Sequence, residues 1–196
     1  MEKINKLKNK FKKFNLDGYL IPKNDEFFNE YVPLHQDDLQ YITNFSGSYG
    51  LALILKQRSI LFVDGRYTVQ AKIESGRKFK VLPHPLLIKK NSLKLKSKRI
   101  GFDPKLFNEN FIKNFSSKLG IEPVAVNNNL VKLIKKKQIY FKKKKNFYVL
   151  DDIVTGKSCL NKVKNLKKFF FKKKIDIMFL TSSENIAWLL NIRGHD

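Results

Sequence analysis

The sequence is poor in cysteine and histidine, and each shortage excludes a class of protein. A single cysteine, Cys159, occurs among 196 residues, so the chain forms no internal disulfide, as is usual in a reducing compartment. The three histidines, His35, His84 and His195, lie far apart in unlike surroundings. A two-metal hydrolytic centre needs closely spaced His, Asp and Glu side chains. We therefore expect no catalytic residue, no metal ligand and no cofactor in this chain.

Long apolar runs are also missing. No segment approaches the roughly 20 apolar residues that are needed to cross a bilayer. The N-terminal segment alternates lysine with Ile4, Leu7, Phe11 and Phe14 at helical spacing, and it lacks the continuous apolar stretch of a secretory signal. The 42% of hydrophobic residues is sufficient for a core. These features predict a soluble, cytoplasmic protein with no membrane partner.

Acidic residues are few beside the basic ones. Asp and Glu number 17 against 40 Lys and Arg, which gives a net charge of +23. Such an excess favours contact with polyanions through their phosphates. Most of the positive charge comes from lysine, however, whereas the reading of bases prefers the arginine fork. The composition predicts non-specific polyanion binding at low salt and disfavours a specific nucleic-acid function.

What is present includes an internal repeat, which indicates the domain organisation before any local pattern does. Residues 4–47 reappear, shortened and altered, as residues 160–194. The matching segments are 4–9 with 160–165, 16–21 with 175–180, and 41–47 with 188–194. Each copy is predicted to contain a helix, a buried strand, a loop, a short helix and a glycine turn. Because Trp188 matches Tyr41, we expect Trp188 to lie in a core.

The periodicity of apolar residues predicts an α/β fold with a mixed β-sheet flanked by helices. A helix is expected at Lys3–Phe14, another after Asp64 and Gly65, and a third that opens at Asp103, as its N-cap, and ends at Gly120. The predicted strands are 18–21, 51–55, 60–63, 79–82, 99–102 and 121–126, with 51–55 and 60–63 forming a hairpin. Pro123 makes the last strand an edge strand.

These elements divide the chain into three predicted parts. Residues 1–134 form a complete domain. Residues 135–156 are rich in lysine, aperiodic and without a strong element, which is typical of a connector. Residues 157–196 contain the first helix and strand of a second, incomplete copy.

Ordered motifs along the chain carry a resemblance to a known family. They are DGYLIP at 17–22, Asp25-Glu26 with EYVP at 30–33, YITNFSGSYG at 41–50, LFVDGRY at 61–67 with Gln70, TGKS at 155–158 and ENIAWLLNIRG at 184–194. Together they resemble the N-terminal creatinase-like domain of the aminopeptidase P family, the Xaa-Pro aminopeptidases of the three-domain type, with the second domain cut short.

The resemblance implies a metallopeptidase that removes the residue before an N-terminal proline, so that the partner of the complete enzyme is a peptide with proline at its second position. In that family two divalent metals, Mn or Zn, are held in a C-terminal catalytic domain, which is missing from this sequence. The resemblance thus implies a non-catalytic portion that shapes substrate access and contributes to oligomer contacts. Its other partners would be a second copy, as a homodimer, or a separately encoded catalytic part.

Arg66 is the one residue with a substrate-binding expectation. It follows a predicted strand and an Asp-Gly turn, and in the family that it resembles the equivalent arginine approaches the substrate pocket. The alternative is an arginine that pairs with a nearby carboxylate or caps carbonyl groups.

Other motif residues also have two interpretations. Asp64 is favoured as a turn former, and the turn Gly47–Gly50 as a structural turn, although its N–H groups suit an anion. For His35 a surface loop or helix cap is favoured over a ligand. Glu26, Glu30 and Tyr31 lie in a loop and are candidates for rim contacts only.

The sequence therefore predicts the non-catalytic N-terminal portion of an Xaa-Pro aminopeptidase-like metallopeptidase, inactive alone. The alternative is a binding module, which is either a catalytically dead peptide-binding or protein-binding domain or a basic polyanion-binding protein.

Overall fold

The computed structural model describes residues 2–29, 31–85, 89–135 and 146–194. The chain separates into two units, Met1–Gln138 and Ile139–Asp196, which we call unit one and unit two. Each is described by itself.

Unit one contains six strands and five α-helices among its described residues. The strands are β1 (Gly18–Pro22), β2 (Gly50–Leu55), β3 (Ser59–Val63), β4 (Lys80–Pro83), β5 (Arg99–Phe102) and β6 (Glu122–Ala125). The helices are α1 (Glu2–Phe11), α2 (Asp38–Thr43), α3 (Thr68–Ser75), α4 (Glu109–Leu119) and α5 (Leu130–Ile134).

The strands form one mixed sheet in the order β4-β3-β2-β1-β5-β6. Strand β2 is antiparallel to both of its neighbours, and the remaining neighbouring pairs are parallel. The mixed sheet and the hairpin of β2 with β3 are as predicted. Both edge strands carry a proline, Pro83 in β4 and Pro123 in β6, and the predicted edge position of β6 is confirmed.

Helices cover both faces of the sheet, and alternate residues of its central strands point to opposite faces. Tyr19 and Ile21 of β1 join a cluster with Leu7 and Phe11 of α1. Leu20 joins the opposite cluster with Phe115 of α4. Helices α1, α2, α3 and α5 thus contribute to one core, and α4 to the other.

Helix α4 begins later than its sequence predicts. Asp103 caps only a short 3-10 turn, Pro104–Leu106, by accepting a hydrogen bond from the Lys105 N–H. Phe107 is extended, so the helix cannot pass through it, and Asn108 provides the N-cap instead. The predicted N-cap at Asp103 is therefore wrong for α4. The predicted end is confirmed, since Gly120 adopts φ of 68° at the C-cap.

The described residues of unit two, 146–194, contain three helices and a short strand pair. The elements are β7 (Tyr148–Val149), α6 (Asp152–Thr155), α7 (Cys159–Lys173), α8 (Ser183–Leu190) and β8 (Ile192–Arg193), with β7 antiparallel to β8. Much of the predicted connector, residues 136–145, lies outside the described residues. Its later part contains β7 and α6, neither of which was predicted. Strand β7 was missed because its partner strand β8 is more than 40 residues away in sequence.

Two predictions for the second copy are wrong. The segment 175–180, which matches β1, forms no strand, and Ile177 and Phe179 are 82% and 89% exposed. A strand requires a hydrogen-bonded neighbour, and no described residue of unit two pairs with this segment. Trp188 is not in a core either, since it is 58% exposed.

Polar residues occupy the buried positions of unit two. Within residues 146–194 the buried side chains are Lys162 and Asn191. The Lys162 ammonium donates to the Trp188 carbonyl oxygen at 2.7 Å and to Asn191 Oδ1. Across the described ranges of both units, no helix combines the length and the apolar character that spanning a bilayer requires.

Candidate functional site

The edge of the sheet at which its parallel strands end is where open α/β sheets usually bind ligands. Strands β1 and β3 end at Pro22 and Val63, and the antiparallel β2 begins beside them at Gly50. The loops that leave or enter this edge contain most of the motif residues, including Arg66. We call this region the carboxyl edge.

Arg66 is held by a carboxylate next to it in sequence. Asp64 accepts a hydrogen bond from the Arg66 backbone N–H at 2.9 Å, and its Oδ2 lies 2.7 Å from Arg66 Nη2. The guanidinium also lies over the Tyr67 ring, 5.2 Å from the ring centroid. Hydrogen bonding from Arg66 holds the pKa of Asp64 below its usual range. The pair agrees with the structural interpretation of Arg66, yet 73% of the side chain remains exposed to an incoming group.

The turn at Gly47–Gly50 makes room for an aromatic ring. A Cβ on Gly47 would lie 2.3 Å from Phe45 Cζ and 3.0 Å from Tyr67 Cδ1. Ser48 Oγ and the Tyr67 hydroxyl are 2.8 Å apart, which ties the turn to the segment that follows Arg66. The turn therefore has a packing role at the carboxyl edge.

Gln70, in α3, bonds to the residue that precedes this turn. Its Nε2 donates to Ser46 Oγ at 2.9 Å and to Glu74 Oε1 at 3.0 Å. Glu74 in turn accepts the Ser46 N–H at 2.7 Å. These bonds give the motif residues Ser46 and Gln70 a structural role.

Two aromatic rings form a pair at the carboxyl edge that the sequence did not predict. Tyr49 stacks on His84, with ring centroids 5.5 Å apart. Burial, and then the charge of Asp64, raises the pKa of Tyr49, and burial lowers the pKa of His84. The two residues are far apart in the chain, so only the sheet order, which places β2 and β4 on either side of β3, brings them together.

An apolar cleft of about 230 Å³ opens beside Tyr49. We call it the aromatic cleft. Its apolar lining consists of Pro22, Phe28, Tyr49, Leu51, Leu106, Phe107 and Phe111, and its polar lining includes Lys23, Asn24 and Asn108. The helix that the sequence predicts from Asp103 to Gly120 would include both Phe107 and Phe111. Phe107 instead precedes α4 and stacks on Phe111 at 5.9 Å between centroids.

The loop between β1 and α2 forms one wall of the aromatic cleft and is fixed by a buried carboxylate. Asp25 accepts hydrogen bonds from the Phe27 N–H at 2.9 Å and from Asn29 Nδ2 at 2.9 Å. Lys23 forms a buried ion pair with Asp37, and these two side chains are 7% and 2% exposed. Tightly held at both ends, the loop exposes Phe27 and Phe28.

The candidate rim residues of this loop are placed differently. Glu26 lies 3.9 Å from Lys105 Nζ, and Tyr31 is 80% exposed. Glu30 lies outside the described residues.

The histidines do not form a metal site where the structure describes them. His35 accepts a hydrogen bond from Lys135 Nζ through its backbone oxygen, whereas His84 stacks on Tyr49. His195 lies outside the described residues. Within residues 2–29, 31–85, 89–135 and 146–194, no three His, Cys, Asp or Glu side chains are grouped so that they fit a metal ion.

A six-stranded mixed sheet flanked by helices defines an α/β domain, and its likeness to known proteins is more specific. Two models described as creatinase/prolidase N-terminal domain match residues 3–136 and 141–196. The chain belongs to the creatinase/prolidase N-terminal domain family. The two adjacent matches also agree with the internal repeat.

Relatives match along the whole chain. Xaa-Pro aminopeptidase 1 of Dictyostelium discoideum is 26% identical over 100% of this chain and 34% of its own length. Aminopeptidase P1 of Lotus japonicus is 27% identical over 92% of this chain and 28% of its own length. The chain thus spans about a third of the length of the curated relatives that it matches.

Solved structures agree with the fold. The X-prolyl aminopeptidase of Caenorhabditis elegans, described as a cytosolic enzyme with a di-nuclear active site, matches 98% of this chain and 34% of its own, with a TM-score of 0.74 and 26% identity. An Xaa-Pro dipeptidase of Bacillus anthracis matches 68% of this chain and 35% of its own, with a TM-score of 0.52 and 24% identity. The latter supports the fold alone.

Proposed function

We propose that this chain is the non-catalytic N-terminal portion of an Xaa-Pro aminopeptidase, an enzyme that removes the residue before an N-terminal proline. The observation that carries the proposal is the match to the nematode aminopeptidase over 98% of the chain. The aligned part is about a third of the relative's length, and the matching family models are of its N-terminal domain. The chemistry of peptide cleavage would then belong to the remaining two thirds.

The metal centre would lie in that remainder. The described residues offer no grouped ligands, and no catalytic step can be derived from them. Two divalent metals, Mn or Zn, would be held by the catalytic portion. On its own, the chain would be inactive.

The contribution of this chain would be to shape access to the substrate site and to contact other subunits. The carboxyl edge is suited to the first role because it brings Arg66 and the aromatic cleft to one side of a rigid sheet. An exposed guanidinium offers a hydrogen-bonding fork for a peptide carbonyl or carboxylate. Homodimer contacts, or docking of a separately encoded catalytic part, would use other surfaces of the same unit.

A chimera tests the proposal. The N-terminal third of Dictyostelium Xaa-Pro aminopeptidase 1 is replaced by this chain, and the chain is also added in trans to the truncated enzyme. We expect release of the first residue from Ala-Pro-Leu in the chimera or the mixture, and none from either part alone. A folded chimera no more active than the truncated enzyme would contradict the proposal.

Arg66→Ala in that chimera tests the substrate role of Arg66. We expect KM for the peptide to rise by roughly tenfold, the loss of one charge-assisted contact. Because the side chain is exposed, the free energy of unfolding should change by less than about 0.5 kcal/mol. Arg77→Ala, an exposed arginine of the 3-10 turn after α3, is the matched control. Equal KM values for the two variants would show that Arg66 only pairs with Asp64.

A second function, polyanion binding, is favoured by one observation, the net charge of +23. Several lysines of α7 are exposed, among them Lys164, Lys167 and Lys168. If the chain binds polyanions, its affinity for heparin or duplex DNA should fall steeply between 50 and 200 mM salt, by roughly a thousandfold for six phosphate contacts. A peptide-binding module would lose little affinity over that range and would prefer defined peptide ends.

A further inference from the structure

The aromatic cleft is the right size for one side chain. At about 230 Å³ it is smaller than the roughly 300 Å³ or more of sites that enclose a whole small-molecule ligand. Its walls are mostly apolar and aromatic, so an aliphatic or aromatic side chain would gain most from entering it.

The rim of the cleft carries hydrogen-bonding atoms that have no protein partner among the described residues. Asn24 uses its Nδ2 on the Leu106 carbonyl oxygen at 2.9 Å, which leaves Oδ1 without a donor among the described residues. Asn108 uses Oδ1 on the Asn110 N–H at 2.8 Å, and its Nδ2 has no acceptor there. One unused acceptor and one unused donor match the N–H and the C=O of a peptide bond.

The charges at the cleft favour an uncharged side chain within a peptide. The one charged lining residue, Lys23, is already neutralised by Asp37 in a buried pair. A charged side chain entering the cleft would lose its hydration without gaining a counterion. Outside the cleft, Lys105 and the general positive charge of the chain would attract the carboxylate end of a short peptide.

One wall of the cleft is held in an unfavourable backbone conformation. Phe28 has φ of 59°, a left-handed value that is rare for a bulky residue. The Asp25 clamp keeps it there, and the ring remains 56% exposed at the cleft. Strain of this kind is concentrated at binding sites, where the surrounding structure holds a side chain in place.

We propose that the aromatic cleft binds the side chain of an apolar residue that follows the proline in a peptide, with Asn24 and Asn108 bonding its backbone. The proposal rests on the proposed function for the position of the peptide. If the catalytic portion holds the first residue and the bond to be cleaved, as the proposed function has it, the residues after the proline are those free to contact this chain.

Binding is measured directly on the 196-residue chain, without the catalytic portion. The 15N-labelled protein is titrated with the tetrapeptides Ala-Pro-Leu-Ala, Ala-Pro-Phe-Ala, Ala-Pro-Gly-Ala and Ala-Pro-Asp-Ala. We expect saturable shifts of amides around Leu51, Leu106 and Phe111 with the Leu and Phe peptides. The Gly and Asp peptides should bind at least about fivefold more weakly. Equal binding of all four peptides, or shifts elsewhere, would overturn the proposal.

Two neighbouring phenylalanines provide a matched pair of variants. Phe28→Gly removes a wall of the cleft and relieves the left-handed conformation, so the fold should be as stable or more stable while the Leu peptide binds about fivefold or more weakly. Phe27→Ala removes a neighbouring ring of similar exposure, 66% against 56% for Phe28, that does not line the cleft, and the variant should bind the Leu peptide as the wild type does. The same affinity in both variants would refute a role for the cleft.

Asn108→Asp separates the hydrogen bond from the fold. Aspartate is as good an N-cap as asparagine, so α4 should remain intact, but the amide donor is lost and a negative charge faces the peptide carbonyl. We expect weaker binding of both the Leu and the Phe peptide and an unchanged ratio between their affinities.

The binding assay and the chimera assay test different proposals. Selective peptide binding without rescue of the chimera would leave the cleft assignment in place and remove the aminopeptidase role. Rescue without selective binding would do the reverse.

Discussion

The two copies of the repeat have similar local structure but differ in burial. In unit one, Lys3 Nζ donates to the Tyr41 carbonyl oxygen at 3.0 Å and lies 4.4 Å from the Tyr41 ring centroid. In unit two, Lys162 Nζ donates to the Trp188 carbonyl oxygen at 2.7 Å and lies 4.4 Å from its ring centroid. A lysine of the first helix therefore contacts the matching aromatic residue in both.

The ends of the short helices also agree, whereas the apolar faces do not. Asn44 and Asn191 are both left-handed C-caps, with φ of 64° and 55°. Yet Leu7 is fully buried, whereas the matching Val163 is 38% exposed. Local sequence is sufficient for caps and helix-to-helix contacts, but burial of a helix face needs a large sheet, and the described residues of unit two form only the two-stranded β7-β8 pair.

The largest expected effect is the difference in unfolding free energy between truncating the buried Leu7 and truncating the partly exposed Val163. Leu7→Ala should lower the free energy of unfolding of unit one by about 2 to 5 kcal/mol, because it leaves a cavity between α1 and the sheet. Val163→Ala should cost unit two less than about 1 kcal/mol. Native-state hydrogen exchange of amides in each unit gives both values. Similar costs would break the comparison, since they would mean that both first helices are equally buried.

The two asparagine caps should differ by a smaller amount. Asn44→Ala should cost about 1 kcal/mol, because alanine lacks the short polar side chain through which asparagine tolerates the left-handed conformation. Asn191→Ala adds the loss of bonds to Thr155 Oγ1 and the Lys157 carbonyl oxygen, and it removes an acceptor of the buried Lys162. An unsatisfied buried group costs a further 1 to 3 kcal/mol or so. Hydrogen exchange of the Leu150 amide, which donates to the Asn191 backbone oxygen, reports this loss. If this amide exchanges equally fast in Asn191→Gly and Asn191→Ala, the loss comes from the missing side chain.

The smallest expected effect is a difference in pH dependence. Burial raises the pKa of Asp38 in unit one, so its contribution to stability is fully present below the unfolded pKa of about 3.9 and is lost as pH rises through the higher folded pKa. Hydrogen bonding from Ser182 lowers the pKa of Glu184 in unit two, so its contribution is lost as pH falls. On acidification from pH 6 to 3, the wild type should gain stability relative to Asp38→Asn and lose it relative to Glu184→Gln. Urea titrations measure both; slopes of the same sign would contradict the prediction.

Helices and strands that follow from a local pattern of apolar residues could be predicted from sequence. The strands of the β2-β3 hairpin and helix α1 were placed within a few residues, because alternation and helical spacing are local patterns. The start of α4 was misplaced, since both Asp103 and Asn108 have the side chain of an N-cap and only the extended Phe107 decides between them.

Features that depend on distant partners could not be predicted. Segment 175–180 has the composition of β1, but a strand also needs neighbours, which the sequence pattern does not show. At the candidate site, the sequence singled out Arg66 and its turn, and the substrate role of Arg66 stays a prediction. The Tyr49 and His84 pair and the aromatic cleft were missed. Their members come from loops, strands and a helix that are far apart in the chain, and only the strand order of the sheet brings them together.

The prolines in the two edge strands, β4 and β6, affect whether the protein associates with itself at high concentration. An edge strand presents unpaired backbone groups to which another chain can add. Pro83 and Pro123 each remove one N–H donor from such a row. The sheet of unit one is therefore a poor template for cross-molecular extension, and we expect any self-association of this unit to proceed through side chains and loops.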